Sequence, residues 1–104
     1  MAITTQLVGK LGGGFKAISG VPQSIKDKNS RTLITPIDRS VIAIKWDRST
    51  SFLPNILVNG VEYSTPGLIL ISVDAGVAVN YSSTNGIQTL FISGAWIADA
   101  PDSL

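Results

Sequence analysis

The feature that most constrains this chain is its two-residue hydrophobic period, broken by Asn-Gly pairs. R-S-V-I-A-I-K-W, from Arg39 to Trp46, puts Ile42, Ile44 and Trp46 on one face and Val41, Ala43 and Lys45 on the other. N-I-L-V-N-G-V-E-Y, from Asn55 to Tyr63, is two short β-rich runs joined by Asn59-Gly60. A type I′ turn needs positive φ at both central residues, and Asn-Gly supplies it most cheaply, so a hairpin is expected there. Asn85-Gly86 divides G-V-A-V-N-Y-S from I-Q-T-L-F-I-S and predicts a second hairpin, its loop starting at Ser82.

Between these lies P-G-L-I-L-I-S-V-D-A-G. Pro66-Gly67 and Asp74-Ala75-Gly76 read as turns, and Leu68 to Val73 as a strand buried on both faces or nearly so. The final strand is expected from about Ile87 to Ile97, with Gly94 as a bulge or a point of close packing. Upstream, Phe15 to Val21 alternates and suits a first strand, whereas Pro22 to Ser30 is polar and suits a loop or one helical turn. Thr32 to Ile37 reads as a strand that Pro36 confines to an edge or a strand end. No segment sustains an apolar 3.6-residue period, so almost no helix is expected.

About seven or eight short strands with regular turn signals predict an all-β fold. An antiparallel β-sandwich, jelly-roll-like in its connections, is preferred over a small barrel. At 104 residues the chain has room for one such domain, over residues 15–98. It is preceded by an arm and glycine-rich hinge over residues 1–14 and followed by an acidic tail over residues 99–104.

Composition narrows the chemistry. There is no histidine and no cysteine, which excludes Ser-His-Asp and Cys-His sites, disulfides and the common zinc centres. The seven carboxylates are Asp27, Asp38, Asp47, Glu62, Asp74, Asp99 and Asp102. A glycosidase-like acid pair could be drawn from them, but all except Glu62 fall in expected turns, strand ends or tails, where solvated Asp is ordinary. No single loop gathers enough acidic oxygens for calcium. No catalytic residue, metal site or cofactor is therefore expected, and the chain reads as non-enzymatic.

The net charge is +1, with basic residues interspersed among acidic ones, so nucleic acid is not an expected partner. Charged residues are only 14% of the chain, against about 25% in an ordinary soluble domain. Either a partner covers part of the surface, or a Ser/Thr-rich exterior replaces charge. The N-terminus lacks the pattern of a signal peptide, and G-L-I-L-I-S-V is about a third of a bilayer span, so a soluble protein made in a cytoplasm is expected, with no membrane partner.

Trp46, Tyr63, Tyr81, Phe91 and Trp96 could form a platform for a glycan or peptide. Core packing is the stronger reading for Trp46, which shares a face with Ile42 and Ile44, and for Trp96, which even spacing puts with Leu90 and Ile92. Tyr63 and Tyr81, near strand ends, are better candidates for exposed contact. S-T-S-F-L-P, from Ser49 to Pro54, either displays Phe52 and Leu53 on a contact tip or folds back over the sandwich.

L-V-G-K-L-G-G-G-F-K, from Leu7 to Lys16, is not a phosphate loop, because no Lys-Ser/Thr follows the last glycine. It reads as a hinge behind an arm, or as a tight turn between two strands of one sheet. The lead A-I-T-T-Q-L-V-G-K-L-G-G-G resembles the N-terminus of small virion proteins of tailed phages, of the capsid-decorating or minor tail type, through Thr5 to Gly14. That resemblance implies a structural protein of the virion, made in the host cytoplasm. Its implied partners are a major capsid or tail protein and further copies of itself. Ile3, Leu7, Val8 and Leu11 would be arm contacts, with Ile3 to Val8 adding as an edge strand to a neighbour. Phe52, Leu53, Tyr63 and Tyr81 would be contacts on the body. The competing readings are a carbohydrate- or host-surface-binding module using Trp46, Tyr63 and Tyr81, and a small hydrolase using carboxylates alone.

Overall fold

A computed structural model describes residues 15–99 of the chain. They form nine strands and no helix: β1 (Lys16–Ala17), β2 (Gln23–Ile25), β3 (Arg31–Ile34), β4 (Ser40–Arg48), β5 (Ile56–Val58), β6 (Val61–Tyr63), β7 (Gly67–Val73), β8 (Val79–Ser83) and β9 (Leu90–Asp99). The arm and the hinge glycines, together with the tail beyond Asp99, lie outside the described residues.

The strands make two antiparallel sheets packed face to face and not closed into a barrel. One sheet has the order β1-β9-β4-β7, with β2 also pairing to β9. The other has the order β3-β8-β5-β6. Strand β2 pairs with β9, β3 with β8, β4 with β7, and β5 with β6. The chain from β2 to β9 is thus one long hairpin rolled over on itself, which is the jelly-roll arrangement. Its turning point is Asn59-Gly60, with φ of 49° and 82°, the left-handed pair that a type I′ turn requires.

The other Asn-Gly pair behaves differently, and the expected second hairpin does not form. Strands β8 and β9 lie in opposite sheets, so residues 84–89 cross between them. The Asn85 carboxamide oxygen accepts the backbone N–H of Ile87 at 2.6 Å, an Asx turn that needs no positive φ. The amino-terminal reading is also corrected. The first strand is only Lys16–Ala17, and the polar stretch after Pro22 contains β2, which turns the single apolar residue Ile25 into the core.

The core is the alternation made physical. Ile42, Ile44 and Trp46 of β4 meet Ile56 and Val58 of β5 and Val79 and Tyr81 of β8, all 3% exposed or less. On β9, Leu90, Ile92 and Ala95 join them. The change from even to odd numbering comes from a bulge. Lys45 pairs with Gly94 and Trp46 with Ile92, so Ser93 is an extra residue. Beyond it the faces exchange: Ala95 and Ile97 point inward, and Trp96 pairs with Ala43 on the outer face. Trp96 is therefore not a core residue alongside Leu90 and Ile92, as even spacing predicted. Its indole lies back over Gly94, where a Cβ would come within 2.5 Å of Cη2.

That contact ties Gly94 to the place of the Trp96 ring rather than to a need for backbone freedom. We expect Gly94→Ala to cost about 1–3 kcal/mol in urea unfolding, the usual penalty of overpacking. In a Trp96→Leu background the same change should cost well under 1 kcal/mol. Equal costs in both backgrounds would show that the ring is not the constraint.

Candidate functional site

The ionisable groups are dispersed. No cluster of three or more acidic side chains suited to a metal ion occurs among the described residues. Asp27 receives both guanidinium nitrogens of Arg31, at 2.9 and 3.0 Å. That pair, with the Asn29 N–H, holds its carboxyl below the usual aspartate value. Glu62 accepts a hydrogen bond from the Asn55 carboxamide at 2.6 Å, and Asp47 accepts one from the backbone N–H of Arg48 at 2.7 Å. Each of these three carboxylates is engaged in organising a loop or a strand end.

Trp46, Tyr63 and Tyr81 do not assemble a platform. Trp46 is 1% exposed, and the Arg48 guanidinium carbon stands 5.7 Å from its ring centroid. Tyr81, expected at a contact surface, is 3% exposed. It sits on β8 at an inward position, and its hydroxyl donates to Gln23 Oε1 at 2.7 Å, tying β8 to β2 across the two sheets. Burial pushes its phenol above the ordinary tyrosine value. Tyr63 is half-buried against the core.

Apolar side chains gather at the surface in three places, while Ile37, Val61 and Val77 are exposed elsewhere. The first is a tip at one end of the sandwich, where Phe52 is 83% exposed, Leu53 42% and Ile87 71%. The β4–β5 loop carrying Phe52 is firmly tied. Arg48 donates to Asn55 Oδ1 at 2.7 Å and to the Ser51 carbonyl at 3.0 Å, and Asn55 exchanges backbone and side-chain bonds with Thr84. Thr50 Oγ1 both donates to the Leu53 carbonyl and accepts the Leu53 N–H. Ser49 bridges to Thr89, which brings the β8–β9 loop and Ile87 to the same end. The loop is therefore not folded back over the sandwich: it displays Phe52.

The second place is the outer face of the β9-β4-β7 sheet. Val41 and Ala43 of β4, Leu68 and Leu70 of β7, and Trp96 and Ala98 of β9 share that face. The small ones are buried among their neighbours, whereas Leu68, Leu70 and Trp96 are half-exposed. Among the described residues no strand lies on this face. Lys45 and Asp47 occupy its other half, with the exposed Phe91 opposite Asp47. The third place is a groove of about 500 Å³ between β6 and β7, lined by Glu62, Tyr63, Pro66, Leu68, Ile69 and Leu70 among others.

Of the eight residues singled out as contacts, Phe52 and Leu53 are exposed, Tyr63 lines the groove and Tyr81 is in the core. Ile3, Leu7, Val8 and Leu11 lie outside the described residues. The outer-face residues were not singled out. Their signal was the run of apolar residues at both parities in V-I-A-I and L-I-L-I, which suits a doubly buried strand equally well. Neither a protein-family model nor a curated protein nor a solved structure matches the chain.

Tyr81→Phe separates core from contact. The loss of its bond to Gln23 should cost about 0.5–1.5 kcal/mol of stability. Binding to any partner should be unchanged once the variant is folded. Weakened binding at unchanged stability would return Tyr81 to the surface.

Proposed function

We propose that this chain is a non-enzymatic structural protein of a tailed-phage virion, decorating or stabilising the capsid or serving as a minor tail component. The observation that carries the reading is where the apolar surface lies. Apart from Ile37, Val61 and Val77, it occupies a sheet face, a strand edge and a braced tip, surfaces suited to contact with another protein rather than to enclosing a small molecule. Jelly-roll sandwiches recur in viral capsids, though they also occur among lectins, so the fold contributes by analogy only. The resemblance of Thr5 to Gly14 to the lead of small virion proteins points the same way.

In this reading the arm, residues 1–11, joins the body to a major capsid or tail protein or to an adjacent copy. Ile3, Leu7, Val8 and Leu11 supply its apolar contacts, and Phe52 and Leu53 form a second contact. The protein would be made in the host cytoplasm and reside in the virion. A glycan-binding module is less well supported, because it needs Trp46, Tyr63 and Tyr81 on one surface while Trp46 and Tyr81 are core residues.

Removal of residues 2–11 tests the arm. The truncated chain should keep its sandwich, seen as an unchanged cooperative unfolding transition, while its recovery in purified particles falls at least about tenfold. Unchanged incorporation would end the arm's role. Co-purification with a glycan and no virion protein would favour the module instead.

A further inference from the structure

An exposed sheet edge offers unpaired N–H and C=O groups to any passing strand, and proteins guard such edges with short strands, charge, proline or bulges. Three of the edges in this sandwich carry such guards. Strands β1 and β2, which share one edge of β9, have two and three residues and are separated by Gly20, at φ 93°, and Pro22. Strand β3 has four residues, begins at the charged Arg31 and has a bulge at Leu33. Strand β6 has three residues with Glu62 exposed at its centre.

Strand β7 has none of these. Its seven residues, G-L-I-L-I-S-V, contain no charge and no proline, and all seven pair with β4 without a bulge. Beside it runs the groove lined by Tyr63, Pro66, Leu68 and Ile69. Among the described residues it is the one long unguarded edge.

We propose that β7 pairs antiparallel with β7 of a second copy, about a two-fold axis beside Leu70, joining two five-stranded sheets into one. In an antiparallel pair, facing residues share a face of the sheet, so a two-fold axis must pass beside a residue. Leu70 is the midpoint of the strand, and only there do all seven residues find partners. Leu70 then faces Leu70, Ile69 faces Ile71, and Leu68 faces Ser72. The charges favour a second copy as the occupant. A two-fold axis sets any charge near it against its own like; β7 carries none, and the carboxylate of Glu62, which lines the groove beside it, is taken up by the Asn55 carboxamide. The nearest charged residue along the chain, Asp74, falls opposite Pro66 instead of the other Asp74. Leu70 of the two copies would meet across the axis, with each Leu68 diagonal to the other copy's Leu70, and extend the apolar outer face through both subunits.

This inference rests on the reading of the chain as a repeated subunit, but it is tested on the free protein. Its failure would leave the arm deletion in particles as a separate question. Sedimentation equilibrium of the full chain should show a monomer–dimer equilibrium. Leu70→Lys and Leu70→Glu, each alone, should weaken the dimer at least about 100-fold, because like charges face each other. An equimolar mixture of the two should restore it as a heterodimer. Should either charged variant fail to fold, Leu70→Cys provides the reading. The chain has no other cysteine, so mild oxidation should give a covalent dimer and nothing larger. A wild-type monomer at all concentrations, a dimer indifferent to Leu70→Lys, or absence of the Leu70→Cys cross-link would overturn the proposal.

Discussion

The pairing of β4 with β9 is the interaction on which the rest of the structure depends. Nine residues of β4, Ser40 to Arg48, run against Leu90 to Asp99, about fifty positions away in the chain. This ladder puts Ile42, Ile44 and Trp46 beside Ile97, Ala95 and Ile92, and so assembles one wall of the core. It also gives β7 and the two short strands β1 and β2 a surface to pair with on either side. Because its two halves are so distant in sequence, the pairing carries the loop-closure entropy of a non-local contact. The turn at Asn59-Gly60 lies at the centre of the long hairpin whose rolling places them side by side.

One residue in that ladder decides what the protein presents to its surroundings. Ser93 is extra, and its insertion turns Trp96 and Ala98 outward while keeping Ala95 and Ile97 in the core. Without the bulge, Trp96 would fall opposite Ile42, in the inward place that Ile97 now holds. With it, the ring lies on the outer face over Gly94 and beside Ala43, with Leu70 on the far side of Ala43. The apolar half of that face, and its continuation to the β7 edge, follow from the register of the central pair.

Much of this was legible in the residues, and the exceptions have physical causes. The alternation in β4, the Asn59-Gly60 turn, the edge position of the strand before Pro36 and the special role of Gly94 all follow from local rules. The same dipeptide at Asn85-Gly86 failed as a hairpin signal because its flanking strands belong to different sheets, a property of global topology. Strand β2 was hidden because an edge strand needs only one inward apolar residue, and Ile25 is a single residue without a pattern. Trp96 was misplaced because a bulge resets parity and leaves no mark that simple spacing detects. Tyr81 was misjudged because it is not near a strand end: β8 runs from Val79 to Ser83, and Tyr81 is its central, inward-facing residue. The surfaces were least legible: L-I-L-I reads as doubly buried, and only the strand order reveals β7 as an edge.

The central claim is that this sandwich is built for contact through an unguarded edge. The most direct measurement is backbone hydrogen exchange of the full chain, followed across a concentration series. The account predicts that the alternate amides of Gly67–Val73 that point away from β4 gain protection as concentration rises, while those of Val61–Tyr63, on the guarded edge across the groove, exchange at a constant rate. Exchange in β7 that is independent of concentration, or protection that grows equally in β6, would contradict it.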